Sequence, residues 1–527
     1  MSTSLPSVSP LLLTEFLSDA GLPQLPFIIA CIIAAIALGS FLTPFKRSQY
    51  PLANPPRRWK PHVFARLDFL KHGAEILSQA SKKFAGQPFR LITELGETIV
   101  LPPSYAHEIR NEEGLSFGMA ASKDFHGNLP GFEPFGMLAH DAQIMQAVAR
   151  KQLTKFLNTV TEPLSNEATF ACDLIFGQSP EWKEVLIKDS ILDLISRLSS
   201  RVFLGDELCR NPSWLLITKT YTVHAFKAAT EMTILPSWTK HLLPYFSSDI
   251  ATVRAEMRQA IAIINPVIAR RREVKAKALA EGKPTPRFND AIEWAEIESR
   301  GHAYDPAVFQ LLLSFAAIHT TSDLIFHTLV LLASDPDLIT PLREEMASVL
   351  RAEGWRKSAL YNMKLLDSAI KETQRFRTSG ILEMRRIATQ DVTLPDGIFI
   401  PKGSRVEVDA SESQNPAIYT DPEKFDIYRF KRMRDDPDFA NKAQLVATSP
   451  EHLAFGHGKH ACPGRFFAAN EMKTALCHLM LKYDWKLAEG TTLEPINVGH
   501  FMFLNPEIRV VFRRREEEID LEGLEFV

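Results

Sequence analysis

The sequence predicts a mainly α-helical body with a minor β portion, preceded by one N-terminal transmembrane helix. Three observations carry this. Residues 25–42 read LPFIIACIIAAIALGSFL, without a charge. Residues 139–380 keep the apolar spacing of helices. Runs that suit strands are short and confined to the neighbourhoods of residues 90 and 400 and the C-terminal end.

The first element is the anchor. Eighteen helical residues rise about 27 Å, enough to cross a bilayer core. Glu15 and Asp19 precede the run, and Lys46 and Arg47 come after it. A secretory signal would carry its positive charge first. The expectation is an uncleaved anchor with the rest of the chain in the cytosol; a cleaved signal and a buried helix are the competing readings. Residues 1–45 then form the anchor segment, 46–61 a proline-rich tether, and 62–527 one body with no clear internal linker.

Within the body, 64–84 has helical spacing. Residues 88–92 and 97–101 suit paired strands around Glu94-Leu95-Gly96. A second apolar run covers 309–333, but its middle is His319-Thr320-Thr321-Ser322-Asp323. Such a polar waist is costly in lipid, so a central helix buried in protein is expected. Residues 391–408 alternate apolar and polar around a turn at Pro395-Asp396-Gly397. A mostly polar, proline-containing region runs over 411–449. A helix is expected over 463–483 and a strand at 508–512.

The bulk numbers exclude some classes. With 45% apolar and 23% charged residues the chain can bury a sizeable core, and a net charge of −3 gives no field directed at nucleic acid. The 5 cysteines (Cys31, Cys172, Cys209, Cys462 and Cys477) are odd in number and scattered, unlike a disulfide framework. The body is expected to face a reducing compartment.

Chemistry concentrates in 455–464, FGHGKHACPG. Pro463 suits a first helical position, which would set Cys462 at the positive end of a helix dipole. A thiolate is favoured there. Gly456, Gly458 and Gly464 permit close approach of a flat partner. Three readings compete: a structural cysteine at a tight turn, a zinc site using His457, His460 and Cys462 in a membrane-held scaffold without enzymatic activity, and a haem with one axial thiolate.

The stretch resembles the haem-binding signature of the cytochrome P-450 family, Phe-x-x-Gly-x-(Arg/His)-x-Cys-x-Gly, with Phe455, Gly458, His460, Cys462 and Gly464 filling its positions. The resemblance implies that fold, haem b, Cys462 as the axial ligand of iron, and His460 donating to a haem propionate. Three further motifs stand in the family's order. KETQR supplies Glu372 and Arg375, which resemble the Glu-x-x-Arg pair, and PEKFDIYRF supplies Arg429, which would complete a structural triad. Arg386 falls where the family often binds a propionate, with Arg385 beside it. AAIHTTS resembles the oxygen-binding kink of the central helix, with Thr320 on the threonine that bonds oxygen. His319 stands in place of the family's acid, either feeding protons to Thr320 or bonding backbone as an ordinary helix histidine. Thr378 replaces a common proline, which bears on the substrate side.

The resemblance implies a haem-thiolate monooxygenase of the microsomal type, similar to filamentous-fungal members of secondary metabolism, acting on a lipophilic, terpenoid-like molecule. Electrons would come from NADPH through a separate cytochrome P-450 reductase, with cytochrome b5 as a second donor. The location implied is the endoplasmic reticulum membrane. Family position gives 117–137, 222–235, 315–319 and 379–384 as substrate-facing. Desaturation, ring formation or radical coupling on the same fold is the alternative to oxygen insertion.

Overall fold

The computed structural model describes residues 49–56, 61–234 and 246–526. The anchor expected over 25–42 lies outside the described residues, as do 46–48 and 57–60 of the tether.

Eleven of the helices position the site. They are α1 (His62–Lys83), α2 (Phe117–Asp124), α3 (Leu157–Phe176), α4 (Ile187–Leu208), α5 (Pro212–Ile234), α6 (Ser248–Ala280), α7 (Pro306–Ser334), α8 (Ile339–Glu353), α9 (Lys364–Phe376), α10 (Arg429–Asp435) and α11 (Arg465–Lys482). The strands are β1 (Phe89–Thr93), β2 (Gly96–Leu101), β3 (Leu115–Ser116), β4 (Lys183–Leu186), β5 (Leu382–Ala388), β6 (Val392–Thr393), β7 (Phe399–Ile400), β8 (Arg405–Asp409), β9 (Tyr483–Leu487), β10 (Ile496–Val498), β11 (Phe501–Phe503) and β12 (Arg509–Arg514).

The organising element is α7. Its start is fixed chemically: the Asp305 carboxylate accepts from the backbone N–H groups of Ala307 and Val308, and Pro306 occupies a position where no N–H is needed. Its residues are apolar nearly all round, so it is stable only where protein covers it on every side. It packs against α4, α5, α6, α9 and α11. Among the described residues it is the one helix long and apolar enough to span a bilayer, and most of it is buried within the body. Part of the polar waist is satisfied internally, as where Ser322 Oγ donates to the Ile318 carbonyl at 2.6 Å.

The main sheet has strand order β1-β2-β8-β5-β3. The expected hairpin is β1–β2, antiparallel, with Thr93 opposite Gly96. β2 then pairs in parallel with β8, Thr98 opposite Arg405. Between Glu383 and Arg386 the register of β5 against β8 shifts, and Met384 there takes φ +52°. A bulge of this kind bends a strand and re-aims its side chains. A second sheet, β4-β12-β9, closes the C-terminal part against the start of α4.

One sequence expectation is corrected: the helix after the cysteine begins at Arg465, with Gly464 as its cap residue, so Pro463 precedes the helix. The polar region 411–449 contains α10, whose first residue is Arg429.

Candidate active site

The cysteine loop is held by backbone bonds. Cys462 N–H donates to the Phe455 carbonyl at 2.8 Å, and Gly456 N–H to the Leu453 carbonyl at 2.7 Å. Gly458, at φ +74°, lies so close to Arg110 that a Cβ there would sit 2.4 Å from the Arg110 carbonyl oxygen. Only glycine fits that contact. Lys459 N–H completes it, donating to the Arg110 carbonyl at 3.0 Å and to Asn111 Oδ1 at 2.9 Å. Arg465 Nη1 donates to the Cys462 carbonyl at 2.8 Å and its Nε to the Val446 carbonyl at 2.9 Å. Phe455 packs on the main hydrophobic core.

Burial pushes the Cys462 thiol up, against the backbone N–H groups of Gly464 and Arg465 and the Arg465 charge, which favour the thiolate. The balance is a sulfur that needs a cation beside it to stay ionised. A Cβ on Gly464 would point into open space, so room exists beside the sulfur. α11 packs against α7. On that largely buried helix Thr320 is exposed, and Ala316 and Ala317, one turn before it on the same face, are half-buried, as is the adjoining Phe315; this face looks onto space inside the body. Thr320 Oγ1 donates back to the Ala316 carbonyl at 3.0 Å.

At the edge of that space, Arg386 is 2% exposed and donates from Nη1 to the Arg385 carbonyl at 2.8 Å. Its Nε and Nη2 are buried without a partner among the described residues. Burial lowers its pKa to about 10, with Glu383 opposing. His460 Nε2 lies 3.2 Å from the Leu115 carbonyl, and its pKa is lowered to about 4 by burial first and then by Arg386. Two basic groups therefore converge where an anion would relieve both. The neighbouring Arg385 is used differently, donating to Glu407 at 2.9 Å and pairing with Asp124 at 3.5 Å.

The three residues of the expected triad are brought together. Arg375 donates to both oxygens of Glu372, at 2.8 and 2.7 Å, and Arg429 Nε lies 3.1 Å from each. Arg429 also donates to the carbonyls of Asp421 and Lys424, both at 3.0 Å. His319 turns away from Thr320, toward α5. Burial lowers its pKa, outweighing the carbonyls of Thr218 and Lys219 on α5, and its Nε2 has no partner among the described residues. His457 Nδ1 sits 3.4 Å from Thr448 Oγ1. Among the described residues no three His, Cys, Asp or Glu side chains are grouped to hold a metal, so His457, His460 and Cys462 do not form a zinc set.

Sequence reasoning missed three supports. Lys371 donates to the carbonyls of Gln444 and Ala447 at 2.9 and 3.0 Å, tying α9 to the segment that leads into the loop. Lys473 of α11 reaches Asp367 of α9 at 2.6 Å and ties those two helices together. Arg150 Nη2 donates to the Lys459 carbonyl at 2.8 Å. Lysine inside KETQR was the one visible signal.

A sulfur at a helix head, open space beside a glycine, an exposed threonine on the central helix and an unpaired buried guanidinium fit a flat, anionic, iron-bearing group. This is the class of the haem-thiolate enzymes. The cytochrome P450 family model matches residues 55–512, and the chain belongs to that family. It is similar to cytochrome P450 monooxygenase 1 of Gibberella fujikuroi, 46% identical over 82% of this chain and 99% of the relative. Cytochrome P450 monooxygenase hepE of Aspergillus oryzae is 43% identical over 94% of this chain and 92% of its own length. The fold matches that of the retinoic acid bound cyanobacterial CYP120A1, with a TM-score of 0.62 and 19% identity over 85% of this chain and 96% of that one. The chain is a cytochrome P450 monooxygenase of the fungal kind that the sequence resembles.

Proposed function

We propose that Cys462 supplies the axial thiolate of haem b and that the enzyme oxidises a lipophilic, terpenoid-like molecule. The observation that carries this is the sulfur of Cys462, held by the backbone N–H groups at the head of α11 beside open space. When bound, the haem supplies oxygen activation, and a thiolate ligand favours O–O cleavage. Everything else is the work of this chain. Arg386 and His460 would hold the propionates and fix the ring's rotation. Thr320 would accept and donate a proton through one hydroxyl on the chamber side of α7. The aromatic side chains around Phe315 exclude water from the reacting carbon. Glu372, Arg375 and Arg429 perform no chemistry and hold the loop's support in place.

Electrons would come from an NADPH-cytochrome P450 reductase, with cytochrome b5 as a second donor, at the endoplasmic reticulum membrane through an anchor over 25–42. The uncharged anchor run, with Lys46 and Arg47 after it, supports that location. The test is Cys462→Ser in full-length protein. Loss of the long-wavelength Soret band of the reduced carbon-monoxide complex is expected; an unchanged band overturns the ligand.

A further inference from the structure

An aromatic wall gathers one side chain from each of several distant segments. Phe125 stacks on Phe135 with centroids 4.5 Å apart, and Phe315 of α7 meets Phe135 edge-on at 4.8 Å. Phe226 of α5 lies 5.8 Å from Phe315 and 6.4 Å from Phe501 of β11. Phe315 is half-buried on α7 and adjoins Ala316, which lies one turn before Thr320, so the wall stands at the edge of the face that carries Thr320. The wall is apolar except at Phe501, where the Arg385 guanidinium lies 5.9 Å from the ring centroid.

One carboxyl stands at its edge. Glu383 precedes the bulge of β5, where Met384 takes φ +52°. Its Oε1 lies 3.2 Å from where a Cβ on Gly380 would stand, and the His500 carbonyl is 3.6 Å from that same point. Gly380 in turn bridges Phe501 of the wall. The other acidic groups nearby are matched: Glu407 by Arg385 at 2.9 Å and His500 at 2.8 Å, Glu94 by His500, and Asp124 by Arg405. Glu383 makes no side-chain hydrogen bond or ion pair to any described residue, yet it is half-buried, so its carboxyl keeps open space beside it.

We propose that Glu383 is a specificity-determining residue that hydrogen-bonds a neutral carbonyl or hydroxyl group on an otherwise apolar substrate, orienting it beneath the aromatic wall. This rests on the monooxygenase reading above. Burial supports the donor form: the carboxyl is pushed up to about 8, in spite of Arg385, His500 and Arg386, with Glu407 adding to the rise. At neutral pH it is therefore an O–H donor that a carbonyl can accept from. A carboxylate would lose that bond and face a partly desolvated charge.

The test uses full-length, haem-loaded protein and a matched pair of probes, the hydrocarbon valencene and its ketone nootkatone, titrated by the spin-state shift of the Soret band. The wild type should bind the ketone about 10-fold tighter than the hydrocarbon, the worth of one good hydrogen bond. Glu383→Gln keeps a donor and should keep the preference. Glu383→Leu should erase it, bringing the ratio of the two affinities to about 1 whatever the affinity for valencene becomes. In wild type the preference should fall as pH rises through about 8. Equal affinities in the wild type, including failure of both probes to bind, or an undiminished preference in Glu383→Leu, overturns the assignment. A protein without a haem-thiolate spectrum would instead sink the underlying reading, so the two failures are distinguishable.

Discussion

Arg375 donates two hydrogen bonds to Glu372 from the same helix, and neither side chain has any exposed surface. Arg429 reaches the same carboxylate across from α10. A buried carboxylate held by two guanidinium groups is stable only as a set, because each member's charge is uncompensated without the others.

Removing one member should therefore cost more than the bond it makes. Glu372→Ala is expected to destabilise the fold by about 3–5 kcal/mol, because it leaves two buried cations unpaired. Urea unfolding of the purified variant, tracked by tryptophan fluorescence, reads the loss. A midpoint equal to wild type would show the triad to be dispensable.

Thr320 hydrogen-bonds only its own helix and stays open to the interior. Thr320→Ala should leave haem content and the Soret spectrum intact. Product formed per NADPH consumed should fall several-fold, with hydrogen peroxide making up the difference. Full coupling in the variant would remove this hydroxyl from proton transfer.

The pH dependence of stability has a definite sign. His500 sits between Glu94 and Glu407; burial opposes its charge, but those carboxylates raise its pKa to about 9. Its unfolded value is near 6.5, so its contribution is complete below that pH and is lost as pH climbs through about 9. Glu471, whose carboxyl accepts from Ser199 Oγ at 2.7 Å, is pushed up to about 8 by burial. The folded state holds that proton between about 4.5 and 8, so stability falls across this window too. The part of the unfolding free energy owed to these two groups should decline from pH 5 to pH 9, read as the difference between wild type and variant at each pH. That difference should change mainly in the lower part of the range for Glu471→Gln and in the upper part for His500→Gln. A difference that does not change with pH would contradict the assignment for that group.

The C-terminal segment beyond the family match folds back on the body. Trp355 Nε1 donates to the Leu521 carbonyl at 2.9 Å, and its ring stacks on His478 of α11 at 5.4 Å. Trp355→Ala should cost about 3–5 kcal/mol through the lost core volume. Because His478 is on the helix that starts beside Cys462, haem retention during heating should fall in parallel. Unchanged retention would separate the clasp from the site.

The parts of this architecture legible in the sequence are those written in local pattern. The β1–β2 hairpin is visible as alternation around Glu94-Leu95-Gly96, and α7 as greasy ends flanking a polar waist. The cysteine loop is legible because its glycines have no other use. Pro463 misled because a proline suits a first helical turn, whereas Gly464 takes the cap. Arg385 and Arg386 look alike in sequence; their fates are set by Asp124 and Glu407, which only the folded sheet brings near. Glu383 falls in the range 379–384 that family position gives as substrate-facing, but nothing singled out its carboxyl, since a lone acid in a strand usually faces water.

The parallel pairing of β2 with β8 has a consequence for how the protein is made. Thr98 waits for Arg405, so β2 has no neighbour on one side until most of the polypeptide has left the ribosome. Long-range pairings of this kind are slow to form, and an unpaired strand edge invites aggregation in the interval. Production of this enzyme should accordingly respond to slower translation or added chaperones more than to any change in the site itself.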